Sequence, residues 1–415
     1  MSLCSERLPK TTGEAAAMAA TMIAAVTMAA CDGETGVAGG AVVRDSAGFR
    51  IVEYAGTPQH DAPFALSAEP VYRHGSGSGD YLFGTIRHGA LFPDGGAAIF
   101  DAANTEIVVL GPDGRSHELL AGSGQGPSEV GFVGRMFALG MDSLLIDDNW
   151  NARFTLFADG AVARTVSLEE NRELALGLAA RGIDASGRLL MSSASYRRGF
   201  PDDWLPGYLV RLDLDTLVPD TVGSYDWVPF VPPDDEADNP FAHLGRVGAA
   251  AGRFVHGRSD TPELIWRESD GTVSQIVRWQ PEWVYPTDEH WKAFEADLRV
   301  RLPPVNPHLQ TEEAIEELIR QALASYRVDP DQPLPLFGDL FGDDEGRVWL
   351  PEYAVASQRN GYPSYAVISS SGEWLGTVDA PPGLRVLDVA GGRVLGVVKD
   401  EMDVESVVVY DLISP

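Results

Sequence analysis

The chain has 415 residues, and its 61 acidic side chains against 31 basic ones give a formal net charge of −30. A charge of this sign repels nucleic acid and anionic lipid headgroups, so we expect the protein to bind neither. The two cysteines, Cys4 and Cys31, both lie near the N-terminus, which excludes a disulfide framework or a thiolate zinc site from the rest of the chain.

The N-terminal segment has the pattern of an export signal. An uncharged run at residues 15–30 follows two basic residues and is too short for a comfortable membrane span. It ends in small residues before Cys31, as in a bacterial lipoprotein signal, although Met28 stands where leucine is usual. We predict that 1–30 is a signal, that Cys31 is lipidated and that the protein is held at the cell envelope, on a periplasmic or outer-membrane face. The alternatives are a plain secretory signal, which gives a secreted protein, and an alanine-rich tail on a cytoplasmic protein.

The segment after the signal is rich in glycine and alanine. This composition predicts a flexible linker over residues 31–48, followed by a single domain over 49–415. Residues 49–54 alternate like a strand, and residues 64–74 supply another extended stretch.

One pattern is written twice between residues 74 and 160. The glycine-rich run 75–79 recurs at 122–126, and the same shift carries Asp101 onto Asp148 and Asn104 onto Asn151. A self-similar period of roughly 40–50 residues, built from short strands, is typical of a β-propeller blade. Outer-turn signals continue the register through the chain, at Asp113-Gly114, Asp159-Gly160, Asp215-Thr216, Asp270-Gly271 and Ser371-Gly372.

These marks predict an all-β fold, a six-bladed β-propeller. The blades are placed near 86–121, 133–168, 176–224, 246–279, 336–379 and 384–411. The last blade has room for three strands only, and an open ring would expose an unpaired strand edge. We therefore expect 64–74 to pair with the C-terminal blade and close the ring, with 49–54 as an extra edge strand.

Helical periodicity interrupts the array between the fourth and fifth blades. Residues 287–302 and 311–327 have helical spacing, and Thr311 is a plausible N-cap. An apolar stripe follows the second helix, with Ile315, Leu318, Ile319, Ala322, Leu323 and Tyr326. This predicts an inserted helical hairpin at 287–327, which either packs as inert structure or covers one mouth of the propeller as a lid.

The repeats support a resemblance to a known group. Two runs carry it, Asp101-x-x-Asn104-x-x-Ile107 and Asp148-x-x-Asn151-x-x-Phe154, and both resemble NHL-type repeats. With the lipoprotein-like signal and the loop 122–129, the chain is similar to bacterial six-bladed β-propeller lipoproteins over about residues 49–415. The resemblance implies fold and export far more than activity. From the residues alone, the short Asp and Asn side chains of the repeat can hold tight connections, so we predict a structural role for them.

Motifs that would carry chemistry are missing from the sequence. The loops 75–79 and 122–126 lack the phosphate-loop spacing and favour connectors between blades. The eight histidines form no His-Glu-x-x-His pair, the acidic run 234–239 lacks the glycine and glutamate of a calcium loop, and no Gly-x-Ser-x-Gly elbow occurs. We therefore predict no catalytic, cofactor-binding or metal-binding residue.

Aromatic residues near the connections either line a mouth of the propeller or pack at its rim. They are Trp204, Tyr208, Tyr225, Trp227, Phe230, Trp279, Trp283, Tyr285, Tyr353, Tyr362 and Tyr365.

Three functions remain open at this point. The leading hypothesis is an exported, membrane-tethered, monomeric propeller that acts as a binding scaffold for a protein, peptide or glycan. The alternative is a metal-dependent hydrolase or lyase that resembles lactonases, with a central metal held by inward residues from several blades. A purely structural role in the envelope is the third. Carboxylates and amides that converge on the central channel would favour the enzyme.

Overall fold

The structure is a computed structural model that describes residues 40–77, 79–168, 177–194, 204–229, 238–302, 311–356 and 361–414. The predicted signal 1–30, Cys31 and most of the acidic run 234–239 lie outside these residues. Neither described helix has the length and apolar composition needed to cross a membrane.

Short strands dominate the described chain. In chain order they are β1 (Ala41–Ser46), β2 (Phe49–Tyr54), β3 (Ala65–Leu66), β4 (Tyr72–His74), β5 (Ile86–Leu91), β6 (Ala97–Asp101), β7 (Glu106–Leu110), β8 (His117–Ser123), β9 (Glu129–Val130), β10 (Val133–Ala138), β11 (Ser143–Asp148), β12 (Arg153–Ala158), β13 (Ala161–Ser167), β14 (Leu178–Ile183), β15 (Leu189–Ala194), β16 (Trp204–Leu212), β17 (Pro219–Pro229), β18 (Gly245–Ala250), β19 (Arg253–Arg258), β20 (Glu263–Arg267), β21 (Val273–Arg278), β22 (Phe341–Gly342), β23 (Val348–Pro351), β24 (Ser364–Ile368), β25 (Trp374–Asp379), β26 (Arg385–Ala390), β27 (Arg393–Lys399) and β28 (Glu405–Ile413).

These strands form six sheets, each an antiparallel meander at a predicted blade position. The sheets begin at β5, β10, β14, β18, β22 and β26. The first strand of each blade lies innermost, since β5 contacts both β10 and β26, and β14 contacts β10 and β18. The prediction of a six-bladed β-propeller is therefore confirmed, and the six inner strands surround a central channel. Turns between first and second strands lie at one end of the propeller, here named the turn end. Loops between second and third strands, and connectors between blades, lie at the opposite connector end.

Local chemistry explains the predicted hairpin turns. At the outer turn of the second blade, Asp159 and Gly160 both have positive φ, 50° and 71°. A two-residue turn of this kind matches the twist of the flanking strands, and Asp and Gly tolerate the left-handed conformation.

The core lies between blades. Its largest fully buried side chains include Phe100, Trp266 and Trp349.

The ring closes as the sequence predicts. β4 pairs antiparallel with β28, with Tyr72 opposite Val409, and β3 also pairs with β28. Buried His74 joins this closing strand to the first blade: its Nε2 accepts from the Tyr81 N–H at 3.0 Å, so its Nδ1 carries the proton and donates to the Gly114 carbonyl at 2.9 Å. The first and last blades are thereby joined through residues far apart in sequence.

The N-terminal strands extend the fourth blade. β2 pairs with β1 and, in parallel, with β21, because Val43 and Val52 turn inward and are buried there. The strand predicted at 49–54 is present, but it lies between β21 and β1 in the fourth blade, so the edge strand is β1. The linker prediction for 31–48 is wrong for residues 41–46, which form β1. From this edge the chain crosses to the fifth blade, where the Ala62 N–H donates to the Thr377 carbonyl at 2.9 Å.

The inserted helical hairpin is also confirmed. It consists of α1 (Asp288–Arg301) and α2 (Glu312–Ala324), and Thr311 Oγ1 caps α2 by accepting from the Ala314 N–H at 3.2 Å. The buried side chains of Phe294 and Leu298 pack with Phe241 and Leu334, and Tyr353 packs at the edge of this cluster. Because these contacts belong to connectors and to a loop between second and third strands, the hairpin lies at the connector end.

Candidate anion-binding channel

A cavity of about 210 Å³ lies in the central channel and is lined by residues of all six inner strands. Its wall includes Ala251, Gly252 and Asp344 from the first turns, so it extends to the turn end. Deeper in the channel it is lined by the side chains of Arg135, Arg181 and Asp388. The cavity is therefore open to solutes on the side opposite the helical hairpin.

The strand register brings polar residues of different blades to one height in the channel. Arg246 pairs with Gly257 and Arg385 with Val397, five strand pairs from the first turn of each blade. His88 pairs with Phe100 and Arg135 with Asp147, four strand pairs from the turn, and a further backbone bond that closes each of these turns, Phe92 N–H to Gly96 and Leu139 N–H to Ser143, brings them to the same height. Asp339 takes this position in the fifth blade, just before β22.

In the third blade, the charged residue of this set lies at a β-bulge. Ala179 occupies the equivalent position and pairs with Ser192. Arg181 sits at the bulge between Ala180 and Gly182, and its Nε donates to Ser192 Oγ at 2.8 Å, which brings the guanidinium back to the same height. We call the resulting set the charged ring: His88, Arg135, Arg181, Arg246, Asp339 and Arg385.

Two of the ring arginines have carboxylate partners. Arg246 Nη1 lies 2.6 Å from Asp339 Oδ1. Arg385 Nη2 donates to the Ile86 carbonyl at 2.6 Å and lies 3.8 Å from Glu405 Oε2, a carboxylate that Lys399 also approaches at 3.6 Å.

Arg135 and Arg181 differ from these. Within the described residues, neither guanidinium has a carboxylate at salt-bridge distance, and Arg135 makes no hydrogen bond there. Burial lowers the pKa of both groups, and for Arg135 the nearby Asp388 carboxylate opposes that effect. Asp388 itself accepts from the Leu91 N–H at 2.8 Å. Burial raises its pKa, and Arg135 opposes the rise.

His88 adds no positive charge to the ring near neutral pH. Burial lowers its pKa to about 3, and the neighbouring guanidinium groups of Arg135, Arg87 and Arg385 lower it further in the same direction. Arg87 lies one residue closer to the connector end, exposed, with its guanidinium carbon 4.9 Å above the ring of Phe132. Among the described residues, the channel thus holds two arginines without a salt bridge, with Asp388 near Arg135, in a protein whose net charge is −30.

The repeat residues predicted from sequence lie elsewhere, at the connector end. The buried Asp101 carboxylate accepts from the Gly84, Thr85 and Ala103 N–H groups at 2.8, 3.0 and 3.0 Å, and Asn104 Nδ2 donates to it at 2.9 Å. Its side chain therefore joins the loop after β6 to the connector that enters the same blade.

The second copy of the motif repeats this arrangement. The buried Asp148 carboxylate accepts from the Gly131 and Phe132 N–H groups at 3.1 and 3.2 Å, and from Asn151 Nδ2 at 2.7 Å. Asn151 also donates to the Gly124 carbonyl at 2.9 Å. None of these four repeat residues lines the channel cavity.

The glycine-rich loops are connectors between blades, as predicted, and several of their described N–H groups already have partners. Asp80 Oδ2 accepts from the N–H groups of Gly75, Ser76 and Gly77 at 2.9, 3.2 and 2.7 Å. In the second loop, Glu129 Oε2 accepts from the Gly126 N–H at 2.6 Å. A carboxylate of the chain itself thus occupies the place that a bound anion would take in a phosphate loop.

Carboxylates do reach the channel, but in separate positions. Asp343 and Asp344 line the cavity with Asp388. Asp343 Oδ2 already accepts from Arg347 Nε at 2.6 Å and Trp349 Nε1 at 2.8 Å. Across the described residues, no three His, Cys, Asp or Glu side chains come together as a metal site would require.

The predicted aromatic cluster is divided between core and surface. Tyr225, Trp279 and Tyr365 are buried, whereas Trp283 and Tyr285 are exposed, and Phe230 lies outside the described residues. Tyr225 lines a second cavity of about 200 Å³ beside His256, between the third and fourth blades.

Sequence reasoning missed the channel arginines. Their one signal was the repeat shift, which carries His88 onto Arg135 and so assigns a polar residue to the same inner-strand position twice. Arg181, Arg246 and Arg385 follow no fixed interval in the sequence.

Comparison with known proteins gives likeness in structure alone. No family model matches the chain, and no curated protein matches it in sequence. A member of the DUF4221 family from Bacteroides vulgatus is similar over 86% of this chain and 100% of its own, with a TM-score of 0.49 and 10% identity. A Bacteroides fragilis protein assigned as exported has a TM-score of 0.46 and 10% identity over 87% of this chain and 98% of its own. A gluconolactonase from Xanthomonas campestris has a TM-score of 0.40 and 10% identity over 86% and 99%. At these values the likenesses carry no argument about function.

Proposed function

We propose that this protein is a ligand-binding propeller that takes an anionic group in its central channel. The observation that carries the proposal is the pair Arg135 and Arg181, two guanidinium groups that line one cavity without a carboxylate partner among the described residues. Both arginines are half-buried and line the cavity, so a bound anion would replace water at their guanidinium N–H donors and supply the missing charge partner.

Arginine is well suited to this task. Its planar guanidinium presents several N–H donors in a fixed fork that matches a carboxylate or a phosphate, and such charge-assisted bonds are about twice as strong as neutral ones. Arg181 uses its Nε on Ser192 and keeps its remaining donors for a ligand. The acidic group could be carried by a peptide, a glycan or a small molecule.

The overall negative charge does not oppose this role. Interactions between exposed charges are largely screened beyond about 8 Å at physiological ionic strength, whereas a ligand in the cavity would touch the guanidinium groups. Short-range attraction inside the channel therefore outweighs long-range repulsion from the surface.

Binding is tested by thermal unfolding of residues 40–415 with sulfate, phosphate, citrate and glucuronate, at constant ionic strength adjusted with chloride. A ligand that binds the folded state alone stabilises it by about 2.7 kcal/mol at 100 times its Kd. We expect at least one anion to raise the unfolding temperature of the native protein in a saturable way, and Arg135→Ala to reduce the effect. Arg320→Ala, which removes an arginine exposed on α2, is the matched control. If no anion stabilises the native protein more than chloride does, the proposal is wrong.

We also propose that the protein is exported and tethered through Cys31. The uncharged run before a cysteine supports this. We expect Cys31→Ser to move the protein from the membrane fraction to the soluble fraction of the envelope and to abolish its labelling by a fatty-acid analogue. A variant that stays membrane-bound and acylated would overturn the assignment.

A further inference from the structure

The arginines of the channel that lack a salt bridge indicate how many oxyanion groups a ligand can present there. Arg246 is paired with Asp339, and Arg385 lies beside Glu405. Arg135 and Arg181 are left without carboxylate partners in the described part of the chain, and both line the same cavity. Two guanidinium groups without salt bridges can each take one oxyanion group, so a ligand that carries two negative charges can contact both, while the carboxylates of Asp344 and Asp388 in the same lining oppose it.

The cavity volume limits the size of that dianion. Cavities that enclose drug-sized ligands measure about 300–1,000 Å³. The enclosed part of the ligand is therefore small.

The third cavity residue, Asp388, restricts binding in the opposite sense. Its carboxylate lies close enough to Arg135 for each to affect the pKa of the other, and it lines the cavity where a ligand would sit. It carries the same sign of charge as the ligand whenever it is ionised. Removal of that charge should leave the backbone contact to Leu91 in place, because an asparagine oxygen can accept the same hydrogen bond.

We infer that the channel binds a small dianion, a dicarboxylate or a phosphate, between Arg135 and Arg181, and that Asp388 weakens this binding. The inference rests on the proposed function and goes beyond it in naming the charge and the size of the ligand and the opposing effect of Asp388. Dicarboxylate and phosphate share the oxyanion chemistry that a guanidinium fork recognises.

The test is isothermal titration calorimetry of residues 40–415 with succinate, hydrogen phosphate, acetate and poly-glutamate, all at one ionic strength. We expect one-to-one binding of succinate or hydrogen phosphate, at least about tenfold tighter than acetate, since one charge-assisted contact corresponds to about this factor. The dianion that binds more tightly, succinate or hydrogen phosphate, shows whether the channel recognises a dicarboxylate or a phosphate.

The variants have effects of opposite sign. Arg135→Ala and Arg181→Ala should each weaken dianion binding about tenfold, so that the affinity for the dianion becomes close to the affinity for acetate. Asp388→Asn should strengthen dianion binding, a result that a misfolded variant cannot give. Arg320→Ala should change neither value.

The outcomes separate the two proposals. Acetate or poly-glutamate binding as tight as that of both dianions, or an Asp388→Asn variant that binds dianions more weakly, overturns this inference and leaves anion binding in the channel standing. Failure of every anion to bind overturns both.

Discussion

The Asp101 carboxylate offers a sharp test of the structural role predicted for the repeat motif. Asp101 is fully buried and accepts four short hydrogen bonds, three from backbone N–H groups and one from Asn104 Nδ2. Asp101→Ala removes the acceptor for all four donors at once. The loop after β6 and the connector into the first blade then lose their shared anchor.

The expected cost follows from the number of donors left without a partner. An unsatisfied buried donor costs about 1–3 kcal/mol, and water that enters the space left by the carboxylate recovers part of the loss. We therefore expect Asp101→Ala to lower the free energy of unfolding by about 3–5 kcal/mol, more than the roughly 0.5–3 kcal/mol that most point mutations cost. Asp101→Asn keeps one oxygen and places an N–H₂ group against donors, so its cost should fall between those of the native protein and the alanine variant.

Urea unfolding followed by tryptophan fluorescence measures these differences. Asp113→Ala is the matched control, because Asp113 also accepts backbone bonds, from Arg115 at 3.0 Å and Ser116 at 3.2 Å, but in an exposed outer turn. We expect a much smaller loss for Asp113→Ala and a large loss for Asp148→Ala. If Asp101→Ala unfolds at the same urea concentration as Asp113→Ala, the anchor role is refuted.

Three further predictions concern other parts of the chain. Deletion of 40–74 removes β4, the partner of β28, and should lower the free energy of unfolding by several kcal/mol or cause aggregation, which light scattering detects. An equally stable and soluble truncation would contradict closure of the ring by β4. Burial raises the pKa of Asp147 from 3.8 to about 7. Because the unfolded chain loses this proton at lower pH, the stability of the native protein falls as pH rises from about 4 through 7. In urea titrations, the free energy of unfolding of Asp147→Asn should exceed that of the native protein by up to about 4 kcal/mol at pH 8 and by nothing at pH 4. A Gly/Ser linker in place of 287–327 exposes Phe241 and Leu334 and should lower the unfolding temperature; an unchanged temperature with altered anion capture would support a lid.

The blades could be predicted because their signals are local. Tight turns such as Asp159-Gly160 need residues that tolerate positive φ, and alternation between these turns marks the strands. Closure was predictable for a different reason, since the last blade lacked a strand and the stretch 64–74 had no blade of its own. Each argument needed only neighbouring residues and the avoidance of an open edge.

The parts that were missed depend on distant pairings. β1 lies in a glycine- and alanine-rich stretch, and its order comes from β2, which pairs with β21 more than 200 residues away. The charged ring needs the register of six hairpins at once, including a bulge that no residue pattern marks at Arg181. The absence of a known motif therefore could not predict whether the channel binds a ligand, because the residues that line the channel come together only in the closed ring.

The most direct test of anion binding in the channel is an anomalous diffraction measurement on crystals of residues 40–415 soaked in selenate, a dianion that is visible at the selenium edge. We predict an anomalous peak inside the channel, within hydrogen-bond distance of the guanidinium groups of Arg135 and Arg181, and its loss in crystals of Arg135→Ala. Selenate bound at surface arginines, with the channel empty of selenate in the native crystals, would contradict the proposal.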